Sequence, residues 1–237
     1  MKILVIGDSC IDRFVYCIIN RICPEAPVPV LQPLNEVTNP GMAGNVVANL
    51  ESLGATVDLV TNDETIKKTR YVDVKSGQMI MRLDENDNCE HIDVLYWCLD
   101  EYDGIVISDY CKGFVNEVDI TTITSQAKCP VFLDTKKKLG DWCKDVDFIK
   151  INKPEWIASL DYEGDNIIIT DGKNGALYKN ETFSVEEVKV SDVSGAGDTF
   201  LAALVYEYIK SKSINVSIDF ANKCASKVVQ ERGVTVI

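Results

Sequence analysis

The sequence SDVSGAGDTFLAAL spans residues 191–204 and joins a glycine-rich turn to a helix-like pattern. Gly195 and Gly197 allow tight backbone turns that a side chain would block. The apolar residues that follow repeat at the spacing of one helix face. They are Phe200, Leu201, Leu204, Val205 and Tyr208. We therefore expect residues 195–198 to form the start of a helix, where free N–H groups and the helix dipole favour an anion.

Asp198 is a carboxylate at the place where this helix start would favour a bound phosphate. Aspartate is also a preferred residue for capping a helix and for its first turn. On this segment alone, two interpretations are open: a capping residue, or a functional carboxylate beside an anion site. The other motifs of the chain bear on the choice.

The composition is that of one large acidic domain with a substantial core. The chain has 237 residues, of which 46% are hydrophobic, and a formal net charge of −13. Without a basic block, that charge argues against a nucleic-acid partner, although placed cations and backbone N–H groups can still bind anionic substrates. No apolar run approaches the ~18 residues of a membrane span. Asp8 interrupts the opening strand pattern too early for a signal peptide, so we expect a cytoplasmic protein that does not associate with membranes.

The nine cysteines and the single histidine do not indicate a metal site or a disulfide framework. The cysteines are scattered from Cys10 to Cys224 without a C-x-x-C pair, which favours reduced thiols. His91 has no cysteine or histidine at ligand spacing. We expect it to have a structural or surface role.

Short apolar runs rich in β-branched residues alternate with helix-like stretches along the chain. The runs are residues 3–6, 57–60, 105–107, 131–133, 148–151 and 167–169, and the helix-like stretches include 92–99 and 118–127. This alternation predicts an α/β fold with a mostly parallel sheet covered on both faces. Ligands of such folds bind at the carboxyl ends of the strands, where this chain has several polar residues. They are Asp8, Ser108, Asp109, Asp134, Thr135, Asn152, Thr170 and Asp171.

Residues 24–40 contain five of the seven prolines and break this alternation. Pro27 and Pro29 alternate with Val28 and Val30, which allows an extended segment but not a central strand. Residues 69–74 and 78–84 also alternate polar and apolar side chains, and the turn-like residues 75–77 join them. Together these segments predict a small separate sheet, at an edge or as a lid.

Two common nucleotide-binding signatures are absent from the sequence. It has no G-x-x-x-x-G-K-[ST] loop and no G-x-G-x-x-G after a strand, so a P-loop or a Rossmann site lacks support. Another set of motifs is present. It consists of Asp12 after the first strand, Gly41 and Asn45 in PGMAGNVVANLESLGA, N-x-x-E at 152–155, TDGKNG at 170–175 and GAGD at 195–198.

With this set the chain resembles the ribokinase-like (PfkB) carbohydrate kinases, whose signature D-[TV]-[TS]-G-A-G-D it repeats at residues 192–198. The resemblance extends from residue 1 to about residue 237. Several strings are most similar to the heptose 7-phosphate kinases of lipopolysaccharide precursor synthesis within that family. They are GDSCIDRF, RICPEAPVPVL, PGMAGNVVANLESLGA, MRLDEN and SDYCKGF. The resemblance implies a three-layer α/β/α fold in one kinase domain, 1–237, with β lid segments at about 13–40 and 68–85.

The implied activity is an ATP-dependent transfer of the γ-phosphoryl group to a sugar hydroxyl. The leading acceptor is D-glycero-D-manno-heptose 7-phosphate, which would become the 1,7-bisphosphate. One alternative is another sugar or a nucleoside as the acceptor, and another is a catalytically silent relative that binds nucleotide or sugar. The family also implies Mg²⁺, a monovalent cation such as K⁺, and in many members a homodimer made lid to lid.

Asp198 matches the family's general base, which removes the proton from the hydroxyl being phosphorylated. The backbone N–H groups of Gly195, Ala196 and Gly197 match the anion hole that stabilises the transferring phosphoryl group. Both groups serve one chemical step, which explains why the glycines and the carboxylate adjoin. The resemblance therefore favours a functional Asp198 over a helix cap.

The resemblance also implies a nucleotide and cation side of the site. Asn152 and Glu155 match the N-x-x-E motif that organises Mg²⁺ through water around the ATP phosphates, although a capped helix start after a strand would show the same pattern. Asp192 and Ser194 match a monovalent-cation site. The residues that match the nucleotide loop and the adenine side are Thr170, Gly172, Gly175 and Asn222.

On the sugar side, Asp12 matches the strand-end aspartate that binds hydroxyls, and Gly41 and Asn45 match the loop that closes over the sugar. A 7-phosphate needs cations, and for each candidate the alternative is a solvated surface charge. The candidates are Lys112, Arg82, Arg13 and Arg21.

The chain departs from the family pattern in two respects. It is shorter than most members, because it passes almost directly from residues 57–63 to the lid-like KKTRYVDV and is also short between Glu155 and Asn166. In addition, Met42 stands where the family has a second glycine, and Gly44 follows where the heptose kinases have alanine. We expect the missing pieces to be peripheral, whereas Met42 changes how the sugar is held.

Overall fold

The computed structural model describes residues 1–92 and 98–237. Within them the chain forms twelve β-strands and five α-helices. The strands are β1 (Lys2–Gly7), β2 (Ser9–Ile22), β3 (Pro29–Met42), β4 (Thr56–Val60), β5 (Ile66–Asp73), β6 (Met79–Glu85), β7 (Gly104–Asp109), β8 (Val131–Thr135), β9 (Phe148–Asn152), β10 (Ile167–Thr170), β11 (Ala176–Tyr178) and β12 (Glu181–Phe183). The α-helices are α1 (Ala43–Ser52), α2 (Glu117–Gln126), α3 (Lys153–Ala158), α4 (Ala196–Ser211) and α5 (Ile214–Val228).

The central sheet has eight strands in the order β12-β11-β10-β9-β8-β7-β1-β4. The six strands β10, β9, β8, β7, β1 and β4 pair in parallel with their neighbours, and the hairpin β11-β12 adds two antiparallel strands at one edge. All six predicted strands are present, so the prediction of a mostly parallel sheet is confirmed. Their apolar runs are continuous because both faces of the sheet are covered.

Helices cover this sheet on both sides. On β1, Ile3 and Val5 pack into one core with α1, α4 and α5, whereas Leu4 and Ile6 pack into a second core with α2 and Cys143. Side chains of a strand point alternately to opposite faces, so one strand contributes to both cores. The predicted three-layer α/β/α arrangement is therefore confirmed.

A second sheet of four strands has the order β3-β2-β5-β6. Strand β2 pairs with β3 in antiparallel and with β5 in parallel orientation, and β5 pairs with β6 in antiparallel orientation. These strands occupy the predicted lid segments but begin earlier, at Ser9 and Ile66. Pro33 and Pro40 lie in the edge strand β3, where a missing N–H is tolerated. Residues 24–28, which we expected to be extended, instead form bends between β2 and β3.

One of the two predicted helices is present in the structure, and the other falls mainly outside the described residues. The helix expected over 118–127 is present as α2, and Asn116 and Asp119 form a capping box at its start. The helix-like stretch 92–99 falls mainly on residues 93–97, which lie outside the described residues. In the described part of the chain, no helix has the length and apolar character needed to cross a membrane.

Candidate active site

Helix α4 begins at the predicted glycine turn. Gly195 is its N-cap residue, and its φ of 78° lies in the left-handed region. A Cβ at this position would lie 2.7 Å from Asn45 Nδ2 and 3.1 Å from Val234 Cγ1. The backbone angle favours glycine, and these close neighbours leave little room for a side chain. The turn places Asp198 in the first turn of α4, where its side chain is buried.

Both carboxylate oxygens of Asp198 accept hydrogen bonds from other elements. The Tyr110 hydroxyl donates to Oδ1 at 2.5 Å, and Asn45 Nδ2 donates to Oδ2 at 3.0 Å. Asn49 Nδ2 in turn donates to Asn45 Oδ1 at 3.1 Å, which orients the Asn45 amide. The carboxylate therefore faces side chains of other segments rather than the N–H groups of its own helix. This geometry suits a functional carboxylate better than a helix cap.

Burial raises the pKa of the Asp198 carboxyl to about 6. The hydrogen bonds from Tyr110 and Asn45 and the charge of Lys150 lower this pKa, while the charge of Asp134 adds to the rise. At neutral pH the group is mostly ionised, yet it is a stronger base than an exposed aspartate. A carboxyl with a pKa near the working pH is suited to remove a proton.

The residues predicted as the anion hole lie at the start of α4, where N–H groups lack partners within the helix. The N–H of Ala196 donates to the Val193 carbonyl in a long hydrogen bond of 3.3 Å. An added Cβ on Gly197 would lie 3.1 Å from Lys150 Nζ. An ammonium group thus lies beside the helix start. Its positive charge and the helix N–H groups both favour an anion there.

Lys150 is a residue that the motifs do not single out. It lies in β9 with 4% of its side chain exposed, and its Nζ is 2.7 Å from Oδ2 of Asp134, which is 3% exposed. The other oxygen, Asp134 Oδ1, is buried and has no hydrogen-bond partner among the described residues. Desolvating two charges in this way is costly unless further contacts compensate for it. The sequence signals for this pair are the strand-end position of Asp134 and a lysine inside the apolar strand FIKIN.

Asn152 and Glu155 form a capping box at the start of α3. The N–H of Glu155 donates to Asn152 Oδ1 at 2.9 Å, and the N–H of Asn152 donates to Glu155 Oε2 at 2.8 Å. The capped helix start that the sequence left open is therefore present. A cation-binding role for Glu155 remains a prediction beside it.

Glu155 and Asp134 suit a partly hydrated magnesium ion. Lys136 Nζ lies 2.5 Å from Glu155 Oε1 and 3.9 Å from Asp134 Oδ1, so the two acids are close neighbours. Carboxylate oxygens are the ligands that Mg²⁺ prefers, and Asp134 Oδ1 has no other partner in the described residues. Residues 1–92 and 98–237 contain no group of three or more acidic, histidine or cysteine side chains arranged for a metal. An ion here would take most of its ligands from phosphate and water.

The predicted nucleotide loop follows β10 as a short 3₁₀ turn, Gly172–Asn174. A Cβ on Gly175, whose φ is 83°, would lie 2.0 Å from the Phe183 carbonyl oxygen. Asn222 Nδ2 donates to that same carbonyl at 2.9 Å, while Thr170 Oγ1 donates to the Ile151 carbonyl at 3.3 Å. Gly175 and Asn222 therefore meet at β12, and their contacts with a nucleotide remain predictions.

Asp192 connects the glycine loop to the segment around Gly233. Its Oδ1 accepts a hydrogen bond from the N–H of Ser194 at 2.9 Å, and its Oδ2 accepts one from the N–H of Gly233 at 3.1 Å. Both oxygens thus have backbone donors. Asp192 stabilises the loop before Gly195, and the monovalent-cation site stays a prediction.

Asp12 lies buried on β2 and accepts a hydrogen bond from Arg70 of β5. A Cβ on Gly41 would lie 2.3 Å from Asp12 Oδ2, so the glycine leaves room for this carboxylate. Asp12 pairs with Lys68 in the strand register, and Arg70 pairs with Arg82. Directly paired residues share a face of a sheet. Three cations therefore share the Asp12 face, and the motifs single out only Arg82.

The four cations predicted for the sugar phosphate differ in position. Lys112 and Arg82 each pair with a nearby aspartate, at 2.5 and 2.8 Å. Arg13 lies on the opposite face of β2 from Asp12, because neighbouring residues of a strand alternate. Arg21 is exposed near the end of the same strand. Of the four candidates, Arg82 is the one that shares the Asp12 face.

Met42, the departure from the family pattern, directly precedes α1. Its φ of 57° and ψ of −130° lie in a region that favours glycine. Its side chain is buried in a small cluster with Cys10 and Ile66. The methionine therefore fills space among the strands of the second sheet at the cost of backbone strain.

Comparisons with known proteins agree with this architecture. The sequence model of the pfkB family carbohydrate kinases matches residues 69–237, which is more than half of the chain. Ribokinase from Thermotoga maritima is similar in structure with a TM-score of 0.70 and 18% identity, over 98% of this chain and 94% of that one. Phosphofructokinase-2 from Escherichia coli, in complex with potassium, has a TM-score of 0.71 and 16% identity, over 99% and 94% of the two chains. These likenesses establish the fold.

Curated relatives match nearly the whole chain. Bifunctional protein HldE of a Nitratiruptor species is 30% identical over 289 residues, which cover 98% of this chain and 62% of the relative. The protein of the same name from Campylobacter jejuni is 31% identical over 284 residues, with the same coverage of 98% and 62%. The chain thus spans less than two thirds of these relatives, and within the aligned region they contain segments that it lacks. From the family match, together with the ribokinase-like fold, we conclude that the chain belongs to the pfkB family of carbohydrate kinases.

Proposed function

We propose that this chain is an ATP-dependent sugar kinase, which transfers the γ-phosphoryl group of ATP to a hydroxyl of the acceptor. The observation that carries the proposal is the buried Asp198 carboxylate at the start of α4, with the Lys150 ammonium beside Gly197. Phosphoryl transfer needs a base for the nucleophile and positive charge for the transferring group in the same step. Here the two lie next to each other.

In the proposed reaction, Asp198 accepts the proton of the acceptor hydroxyl as the hydroxyl oxygen bonds to the γ-phosphorus. The bond between that phosphorus and the bridging oxygen breaks, and its electron pair stays on ADP. The N–H groups at the start of α4 and the Lys150 ammonium stabilise negative charge on the transferring group. Tyr110 and Asn45 hold the carboxylate from its two oxygens.

Glu155 and Asp134 are the residues that would hold Mg²⁺ beside the ATP phosphates. When bound, the ion neutralises phosphate charge. Lys136 contacts both carboxylates and offsets their mutual repulsion. The predicted nucleotide contacts of the chain come from the loop after β10 and from α5. They are Thr170, Gly172, Gly175 and Asn222.

We propose D-glycero-D-manno-heptose 7-phosphate as the acceptor and the 1,7-bisphosphate as the product. Support comes from the sequence strings that resemble heptose 7-phosphate kinases. It also comes from the Asp12 face of the second sheet, where a carboxylate suited to sugar hydroxyls is accompanied by Lys68, Arg70 and Arg82. Cations on this face suit an acceptor that carries its own phosphate.

We also propose a symmetric homodimer formed through the second sheet. Ile11, Met81 and Leu83 are exposed, and the strand register places them on the face opposite to Asp12. An exposed group of apolar side chains on one face of a sheet is a candidate interaction surface. A self-complementary patch gives a closed pair of identical subunits.

An ADP-release assay with a panel of acceptors tests the activity and the acceptor together. The panel contains heptose 7-phosphate, free heptose, fructose 6-phosphate, ribose and a nucleoside, and Asp198→Asn is the control. We expect release to be fastest with heptose 7-phosphate, and ³¹P NMR should then show a second phosphate on the product. Faster release with another acceptor would overturn the acceptor and keep the kinase. No release with any acceptor, from a folded protein that binds ATP, would overturn the kinase in favour of a silent relative.

A further inference from the structure

Tyr110 directly follows β7 and connects three parts of the molecule. Its hydroxyl donates to Asp198 Oδ1 at 2.5 Å. Two ammonium groups lie over its ring, with Lys68 Nζ of the second sheet 5.7 Å from the ring centre and Lys136 Nζ 5.2 Å from it. The residue thus lies where the acceptor side, the phosphate side and the start of α4 meet.

The backbone of Tyr110 is held by Asp8, which is fully buried after β1. Asp8 Oδ2 accepts hydrogen bonds from the N–H groups of Tyr110 at 2.7 Å and Lys112 at 3.3 Å, and Oδ1 accepts one from the N–H of Phe114 at 3.2 Å. Charge-assisted hydrogen bonds of this kind are strong. The position of the Tyr110 phenol therefore depends on the hydrogen bonds from this backbone to Asp8 as well as on the side-chain rotamer of Tyr110.

Tyr110 remains a donor throughout the range in which Asp198 titrates. Burial, together with the negative charges of Asp198 and Asp134, raises the pKa of the Tyr110 hydroxyl well above its ordinary value. A donor that stays protonated stabilises the ionised form of the carboxylate that it contacts. The hydroxyl thus opposes the effect of burial on Asp198.

We propose that Tyr110 is a positioning residue for phosphoryl transfer, which keeps Asp198 ionised and oriented toward the acceptor hydroxyl, while Asp8 holds Tyr110 in place. This inference rests on the proposed function, because it requires Asp198 to be the base. Tyr110 acts through Asp198. Asn45 donates a hydrogen bond to the other carboxylate oxygen, so the two donors together fix the plane of the carboxylate.

Removing the Tyr110 hydroxyl deletes none of the charged groups around this pair. Asp198 also faces Asp134 and Lys150. Tyr110 also faces Lys68, Lys136, Asp134 and the Cys10 thiol. A Tyr110→Phe variant therefore removes one hydrogen bond and leaves the surrounding charges unchanged.

The first experiment is the pH dependence of kcat and kcat/KM for wild type and Tyr110→Phe. Loss of the donor raises the pKa of Asp198, so the acid limb of both profiles should move up by about one to two pH units, the equivalent of one hydrogen bond to a charged group. The loss of rate should be largest below pH 7 and should shrink at higher pH, with KM for ATP unchanged. An acid limb at the wild-type position in the folded variant would overturn the proposal.

Tyr102→Phe is the matched control. The Tyr102 hydroxyl also donates to an aspartate, Asp58 Oδ2, at 2.8 Å, but the contact joins the β4 strand to the segment before β7. We expect this variant to keep the wild-type profile. A shift as large as that of Tyr110→Phe would show that the effect is general destabilisation, and would also overturn the proposal.

The second experiment needs no turnover. ¹³C NMR of labelled aspartate carboxyls, with the Asp198 signal assigned by its loss in Asp198→Asn, should show a higher titration midpoint in Tyr110→Phe. Placing 3-fluorotyrosine at position 110 keeps the shape and makes a stronger donor, so that midpoint should instead fall. If no acceptor is phosphorylated, the proposed function fails while these midpoints still report the Tyr110–Asp198 contact. Unchanged midpoints in both variants would overturn the contact itself.

Discussion

Lys150 and Asp134 form a buried ion pair with an N–O distance of 2.7 Å, and the same ammonium lies 3.1 Å from the position of a Cβ on Gly197. The pair therefore borders the helix start that carries Asp198. Its two charges act on that carboxyl in opposite directions, because Asp134 raises the pKa of Asp198 and Lys150 lowers it. A buried pair gains little stability over apolar residues of the same volume. Its position points to the transferring phosphoryl group as the third partner.

Lys150→Met should lower kcat by roughly 10²–10³-fold, the effect of removing one preorganised donor from a site of developing negative charge. It should also lower the free energy of unfolding by roughly 3–5 kcal/mol, because Asp134 loses its counter-charge. Steady-state kinetics and urea denaturation measure the two effects. Comparing Asp134→Asn with the double variant Lys150→Met/Asp134→Asn separates them. Asp134 is also a proposed magnesium ligand, so both assays use saturating Mg²⁺. Equal, measurable kcat values in those two proteins would then show that Lys150 serves folding alone.

Asp198→Asn should abolish turnover and stabilise the fold at neutral pH. A general base supplies about 10²–10⁴-fold in rate. Because burial raises the pKa of Asp198 to about 6, the folded state binds this proton more tightly than the unfolded state does. The carboxyl thus contributes stability at low pH that is lost as pH rises through about 6. The amide should add up to roughly 3 kcal/mol at pH 7.5 and almost nothing at pH 4.

Thermal melts at the two pH values and binding of ATP test this behaviour of Asp198→Asn. Nucleotide affinity should stay within a few-fold of wild type, because the change removes a base and not a binding surface. A variant that retains more than about a tenth of the wild-type rate would show that another group removes the proton.

The central fold could be predicted from the sequence because its determinants are local. Strands such as β1 and β8 are covered on both faces, so each appears as a continuous apolar run. The glycine turn before α4 is equally local, since the φ of 78° at Gly195 strongly favours glycine. The hairpin β11-β12 was not predicted, because its three-residue strands are too short to show a period.

The site could be predicted only where its residues adjoin in sequence. Lys150 and Asp134 are 16 positions apart and meet because β8 and β9 are neighbours in the sheet. Tyr110 and Asp198 are 88 positions apart, and they meet because the start of α4 lies beside the end of β7. The resemblance assigned Asp198 to the general base and Asn45 to the sugar loop, as two separate roles. Their hydrogen bond of 3.0 Å shows that the two roles are physically connected.

Glu155→Gln should raise the Mg²⁺ concentration needed for half-maximal rate, because it removes one carboxylate from a site that otherwise depends on phosphate and water. Glutamine can keep the capping box at the start of α3, so the fold should be little affected. An exposed glutamate, Glu163, provides the control as Glu163→Gln. If the magnesium titration of Glu155→Gln matches that of wild type, the residue is a helix cap only.

Met81→Asp should convert the proposed homodimer to a monomer. Met81 is 47% exposed on the face of β6 opposite to Asp12, and a charge there would have to be desolvated in a dimer interface. Val118→Asp, on the exposed face of α2, adds the same charge away from the second sheet and should leave the dimer intact. Light scattering of wild type, Met81→Asp and Val118→Asp at assay concentration measures their oligomeric states. A monomeric wild type would contradict the dimer.

Arg70→Met should remove the preference for a phosphorylated acceptor. Arg70 lies between Asp12, to which it donates, and Arg82, its cross-strand neighbour. Losing a charge-assisted contact to the sugar's own phosphate corresponds to roughly 1.5–3 kcal/mol, or a ten- to hundredfold fall in kcat/KM for heptose 7-phosphate. Arg70→Met also removes the hydrogen bond to Asp12, which should lower the rates with heptose 7-phosphate and free heptose by a common factor. The ratio of their kcat/KM values therefore isolates the phosphate contact.

Arg13→Met is the matched control, because Arg13 pairs with Glu36 on the opposite face of β2 and should leave that ratio unchanged. Equal losses for both acceptors in Arg70→Met would restrict Arg70 to orienting Asp12.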